Sequence, residues 1–113
     1  MPHSPLVERL KLTSYQGPQP TERTLQILRQ YDLLDELKSK DPRVVVNKLQ
    51  SVTDRQPSAE KLYALAELNY LGGKKIEGAN EGAALDLYGA AVANAYLYLF
   101  DERFTPIRNP YDP

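Results

Sequence analysis

The stretch that most constrains the fold is residues 82–100, GAALDLYGAAVANAYLYLF, which carry one charge, Asp86, in nineteen positions. A stretch of this kind forms a membrane span, a buried helix of a folded domain, or an apolar face for a partner. Gly82, Asp86, Gly89 and Asn94 are poor lipid-facing residues, and alanine is barely favourable in a bilayer. We therefore predict no membrane span, and instead a central helix that is covered on both sides.

Three further helices are predicted upstream of this stretch. Gly17 to Pro20 forbid a helix through that point, and Thr21 follows as an N-cap. Apolar residues then recur every three positions, which predicts that helix 1 extends to residue 37. These residues are Leu25, Leu28, Tyr31, Leu34 and Leu37.

Helix 2 is predicted to begin at Asp41-Pro42, an N-cap followed by proline at the first helical position. Its apolar stripe is Val45, Leu49 and Val52, at the i, i+4, i+7 spacing of one helix face.

Helix 3 begins at Ser58 and is predicted to end at Gly72-Gly73, because glycine accepts the left-handed conformation that follows many helices. Asn80 is then predicted to cap helix 4. The fold class is therefore all-α. We divide the chain into an extended lead-in over 1–20, a four-helix module over 21–100, and a proline-rich tail or linker over 101–113.

An offset of 39 residues aligns the two halves of this module. Tyr31 falls on Tyr70, and the cap Asp41 falls on the cap Asn80. The aligned stripes are Val45, Leu49 and Val52 with Ala84, Tyr88 and Ala91. A period of this length predicts two antiparallel helix pairs, that is, two αα repeats.

The residues at these spacings resemble the tetratricopeptide repeat. Tyr63, Ala66 and Tyr70 match the pattern of its first helix, and Ala84 and Tyr88 match that of its second. The run YLGGKKI followed by GAALDLYGAA is also similar to Sel1-type repeats. Two positions depart from the family pattern, since Thr24 replaces an aromatic residue and Glu67 replaces glycine.

The resemblance implies a protein-docking groove lined by first helices. The positions that match the groove are Lys61, Ala64, Leu68 and Leu71. They offer one basic group and mostly apolar surface, so we predict an apolar docking surface and no carboxylate clamp. Tyrosines 63, 70, 88, 96 and 98 are interpreted as core residues whose hydroxyls reach polar partners.

Composition and motifs argue against several function classes. A net charge of −1, from 14 basic and 15 acidic residues, gives no general attraction to nucleic acid. The chain has no cysteine, and its one histidine is His3. It has no recognisable catalytic motif, so we predict no catalytic, cofactor-binding or metal-binding residues and a non-enzymatic role. No targeting segment is present in this sequence, and the compartment stays unassigned.

The function predicted from the sequence is a helical scaffold or docking module, as the N-terminal accessory part of a larger bacterial protein. One side of helix 4, with Leu85, Val92 and Leu99, needs a cover from a protein partner, from another domain of the parent chain, or from a second copy in a homodimer. The order of elements is also similar to helical leaders that precede α/β-hydrolase-like domains. That resemblance implies an accessory domain whose catalytic residues lie outside this chain.

Overall fold

The computed structural model describes residues 19–100, and the fold over these residues is all-helical, as predicted. The elements are α1 (Glu22–Gln30), a 3-10 helix (Leu34–Lys38), α2 (Arg43–Arg55), α3 (Ala59–Ile76) and α4 (Glu81–Phe100). No strand occurs within residues 19–100. The tail over 101–113 and most of the predicted lead-in lie outside the described residues.

The central helix is α3, because α1, α2 and α4 all pack against it. The main core lies where α1, α2 and α3 meet, and the segment that follows α1 adds Leu33. Its buried residues are Ile27, Leu28, Leu33, Val45, Val46, Leu49, Ala64, Leu65 and Leu68. The prediction that helix 4 is the central helix was therefore wrong: among the described residues, α4 lies at the periphery and packs mainly against α3, with one polar contact to α1 through Tyr98.

The local helix-start signals are confirmed at Ser58 and Asn80. The Ser58 hydroxyl accepts a hydrogen bond from the backbone N–H of Lys61 at 3.2 Å. The Asn80 side-chain oxygen accepts one from the backbone N–H of Ala83 at 3.0 Å, directly before α4. The other two predicted caps differ: Thr21 lies at the N-cap of α1 but its side chain makes no capping bond, and α2 has Pro42 at its N-cap, one residue later than predicted.

The first helix ends earlier than predicted, at Gln30 rather than at Leu37. Asp32 adopts a left-handed conformation, with φ of 57°. The backbone N–H of Leu33 donates to the carbonyl oxygen of Leu28, and that of Asp32 to the carbonyl oxygen of Arg29. This pair of bonds is a Schellman motif, which is completed by the burial of Leu28 and Leu33. The three-residue periodicity continues into a separate 3-10 helix, which explains the wrong prediction.

The third helix ends later than predicted, since it runs through Gly72 and Gly73 to Ile76. Both glycines are buried. A Cβ atom at position 72 would lie 3.0 Å from the Cβ of Pro42, and one at position 73 would lie 2.6 Å from Cε1 of Tyr88. These glycines therefore permit close contact with neighbouring elements and do not terminate the helix.

The predicted core role of the tyrosines is wrong for two of the five. Tyr70 and Tyr96 are 49% and 62% exposed, and Tyr63, Tyr88 and Tyr98 are half-buried. Tyr96 lies on the side of α4 that no helix covers among the described residues, whereas Tyr70 lies on α3, with its ring centroid 5.8 Å from that of Tyr88.

Candidate docking surface

The two sides of α4 differ sharply in exposure although both are apolar. Toward α3, the helix buries Ala84, Leu87, Ala91 and Asn94. On the opposite side, Leu85 is 64% exposed, Val92 70% and Leu99 51%. These three residues, together with Tyr96, Leu97 and Phe100, are called the outer face of α4 below. The two sides differ in exposure because α4 packs mainly against α3, and no second helix among the described residues covers its other side.

The outer face contains aromatic surface and little charge. The rings of Tyr96 and Phe100 lie 4.8 Å apart between centroids, and both side chains are 62% exposed. The charged residues of α4 are Glu81 and Asp86, both exposed and both near its start. The distal two-thirds of this helix therefore presents uninterrupted uncharged surface.

An open apolar groove lies between α3 and α4, beside the outer face. Its walls include Tyr63, Ala66 and Tyr70 from α3, and Val92, Ala95 and Leu99 from α4, around a volume of about 480 Å³. Val92 and Leu99 belong to both the groove and the outer face. The two features therefore form one continuous, mainly apolar surface, in which Glu67 contributes a carboxylate that accepts hydrogen bonds from Thr21.

The predicted docking residues on α3 are buried or half-buried, whereas those on α4 are exposed. Lys61, Ala64 and Leu68 are buried, and Leu71 is half-buried. The side of α3 that carries Lys61, Ala64 and Leu68 is occupied by α1 and α2, so these residues form core and are closed to a partner. Of the seven predicted docking residues, only Leu85, Val92 and Leu99 are exposed.

The contacts of the buried Lys61 show why this residue is not part of an open docking groove. Its Nζ donates to the carbonyl oxygen of Gln56 at 2.6 Å and lies 5.0 Å from the centroid of the Tyr31 ring. Both contacts compensate for the loss of water around the charge. Lys61 thus holds the α2–α3 junction and offers no charge to a ligand.

A polar cluster around Arg23 connects α1 with both α3 and α4. The Arg23 guanidinium donates to both carboxylate oxygens of Glu60, at 2.8 and 2.6 Å, and to the Tyr98 hydroxyl at 2.8 Å. It also lies 4.0 Å from the centroid of the Tyr63 ring. The bonds from Arg23 lower the pKa of Glu60, and those to Glu60 raise the pKa of Arg23. Sequence spacing gave no signal for this cluster, because its other members lie 37 to 75 residues from Arg23 along the chain.

A second polar contact positions the start of α4. The Tyr88 hydroxyl donates to a carboxylate oxygen of Glu77 at 2.7 Å. Desolvation and the adjacent Glu77 carboxylate raise the pKa of Tyr88 to about 12, and the hydrogen bond from Tyr88 lowers the pKa of Glu77. The phenol is therefore protonated at neutral pH and serves as a hydrogen-bond donor.

Metal binding and membrane insertion both depend on residue types that can be surveyed over residues 19–100. This part of the chain has no group of three or more histidine, cysteine, aspartate or glutamate residues that could hold a metal ion. Over the same range, α4 is the one helix with the length and apolar composition of a membrane span. One such helix is weak evidence for a span, because a helix that packs in a soluble domain meets the same criteria.

Comparison with models of known protein families, with characterised proteins and with solved structures finds no match to this chain.

Proposed function

We propose that this chain is a non-catalytic helical docking module, and that it binds a protein helix on the outer face of α4. The observation that carries the proposal is the exposure of Leu85, Val92 and Leu99 along one side of a single helix. Scattered exposed apolar residues are normal on protein surfaces, whereas a contiguous apolar strip beside an apolar groove is typical of interaction sites.

A protein partner suits this surface better than a lipid bilayer. Glu81 and Asp86, the two exposed charged residues of α4, would have to enter or approach the hydrocarbon core, which is costly for charged groups. An α-helix of a partner could instead lie in the groove between α3 and α4, where the half-buried Tyr63 and Tyr98 flank it. The partner helix belongs either to another domain of the same parent chain or to a separate protein, and in both cases it needs an apolar side to cover this surface.

The order of contacts supports the helical-repeat component of the proposal. The ring centroids of Tyr70, late in α3, and Tyr88, early in α4, lie 5.8 Å apart. The ring centroids of Tyr63, early in α3, and Tyr98, late in α4, are also 5.8 Å apart. This order supports an antiparallel arrangement of α3 and α4. A shift by 39 residues also carries α1 onto part of α3 and α2 onto part of α4. The first half differs from the second in two respects: α1 and α2 each pack on α3 more than on each other, and the chain has a break at Tyr31 to Leu33 where α3 is continuous.

The proposal is tested with an apolar fluorescent dye. We expect the unmodified chain to bind the dye and Val92→Glu to lose most of that binding, because a charge then stands in the middle of the apolar strip. Thr53→Ser, a change inside the core of α2, serves as the control that leaves the outer face intact. Dye binding that is equal in the unmodified chain and in Val92→Glu would contradict the proposal.

A sedimentation assay with vesicles of phosphatidylcholine and phosphatidylglycerol separates a protein-docking surface from a membrane surface. We expect the chain to stay in the supernatant at physiological salt. Sedimentation with the vesicles that Val92→Glu abolishes would assign the face to lipid and reject a protein partner.

A further inference from the structure

The exposed side of α4 carries a regular seven-residue pattern that the docking role alone does not explain. Its positions alternate in steps of three and four residues, which is the spacing of the contact seam in a coiled coil. The seam consists of Gly82, Leu85, Gly89, Val92, Tyr96 and Leu99. Each of these residues is exposed. The seam is therefore open to solvent along the whole helix, and Val92 and Leu99 also border the groove beside α3.

The first four positions of this seam alternate between glycine and a larger residue, and the last three positions are all larger residues. In an antiparallel pair of α4 helices centred between residues 90 and 91, Gly82 faces Leu99 of the second copy, Leu85 faces Tyr96, and Gly89 faces Val92. A Cβ atom at Gly89 would have no heavy atom of this chain within 4 Å, so the notch at that glycine is unfilled. The antiparallel register places the Val92 side chain of the second copy in it.

A parallel pair lacks this fit. Each glycine would then face a glycine and each Tyr96 would face a Tyr96, which leaves voids beside crowded aromatic rings. The parallel arrangement also brings Glu81 against Asp86 of the second copy, since these residues flank the seam at positions that pair in parallel coiled coils. The antiparallel arrangement places the two copies of Glu81 about 28 Å apart and the two copies of Asp86 about 14 Å apart along the pair.

From these observations we infer that this chain forms a homodimer in which the seams of two α4 helices pack antiparallel. The inference rests on the proposed docking function, and the partner is a second copy of this chain. The overall charge of −1 does not oppose association of two chains. The seam is only about 26 Å long, at 1.5 Å per residue. Association is therefore expected to be weak and to depend on protein concentration.

The register is tested with disulfide bonds, which the natural chain cannot form because it has no cysteine. Leu85→Cys and Tyr96→Cys chains of different length are mixed under mild oxidation. The antiparallel register predicts the mixed disulfide and little of either homodisulfide, because two copies of residue 85 lie about 16 Å apart along the pair. Homodisulfides of each variant without the mixed product would overturn the antiparallel register.

The dimer itself is tested by sedimentation equilibrium over a wide range of concentrations. We expect a reversible monomer–dimer equilibrium, and we expect Val92→Glu to weaken association by about tenfold or more. Position 92 is 70% exposed, so the variant should keep the helix content and melting behaviour of the diluted unmodified chain.

Two results reject the second copy and differ in what they imply for the docking function. A chain that stays monomeric at every concentration, yet binds the apolar dye in a manner abolished by Val92→Glu, rejects the homodimer while the docking surface stands. A monomeric chain that binds no dye rejects both.

Discussion

Gly73 lies against the ring of Tyr88, so closely that a methyl group at position 73 would stand 2.6 Å from Cε1. The ring has little freedom to retreat, because the Tyr88 hydroxyl is bonded to Glu77 at 2.7 Å and the ring lies 5.8 Å from Tyr70. We expect Gly73→Ala to lower the free energy of unfolding by about 1–3 kcal/mol, as measured by urea denaturation. The matched control is Gly78→Ala, where a Cβ meets nothing within 4 Å and a small gain is expected. Equal effects at the two positions would contradict the close contact.

Asp32 holds the turn after α1 in a conformation that glycine adopts more easily. We expect Asp32→Gly to raise the free energy of unfolding by about 0.5–1 kcal/mol, because the left-handed strain is removed at some cost in chain entropy. Gln26→Gly, at an exposed position inside the same helix, should lower it by a similar amount. Thermal and urea denaturation of both variants check this prediction, and a destabilised Asp32→Gly would argue against the Schellman motif.

The Arg23–Glu60 pair predicts a specific pH dependence. The pKa of Glu60 is lowered in the folded chain from its ordinary value of 4.5, so the unfolded chain binds more protons at mildly acidic pH. The stabilisation from this pair is therefore complete above pH 4.5 and is lost as the pH falls through the lowered pKa. Because the Glu60 side chain is 40% exposed, we expect it to be below about 1 kcal/mol.

Urea denaturation of the unmodified chain and of Glu60→Gln between pH 7 and pH 3 measures this effect. The two curves of stability against pH should converge at the acidic end. In an Arg23→Met background the same Glu60→Gln change should have little pH-dependent effect. A difference that grows toward low pH would have the wrong sign for the observed pair.

Ala91 and Ala93 provide a matched comparison of the two sides of α4. Ala91 is buried against α3, whereas Ala93 is exposed. We expect Ala91→Glu to lower the free energy of unfolding by at least about 3 kcal/mol, because an unpaired charge enters the helix interface. Ala93→Glu should change it by no more than about 0.5 kcal/mol. Circular dichroism during heating distinguishes them, and a stable Ala91→Glu chain would show that α4 does not pack on α3 as described.

The features that could be predicted from sequence are those that depend on near neighbours along the chain. Ser58 and Asn80 were identified as caps because a cap needs only the next turn of helix. The exposed side of α4 could also be predicted, because Leu85, Val92 and Leu99 lie away from the stripe that carries Ala84 and Ala91.

The features that could not be predicted depend on contacts between distant segments. Gly72 and Gly73 have the composition of a helix end, and only the positions of Pro42 and Tyr88 show that they are contact points. Periodicity identifies an apolar side of a helix without naming the neighbour that covers it. For that reason α4 was mistaken for the central helix, and Lys61 for a residue of an open groove.

The central position of α3 also affects the order in which the helices of this chain come together during folding. The contact between α3 and α4 closes across a short turn at residues 77–80, whereas Thr21 reaches Glu67 across 46 residues. Short closures cost less entropy and form sooner. During synthesis from the N-terminus, α1 and α2 leave the ribosome before the helix on which they pack. The apolar side chains of α1 and α2 are therefore exposed to solvent until α3 has been synthesised.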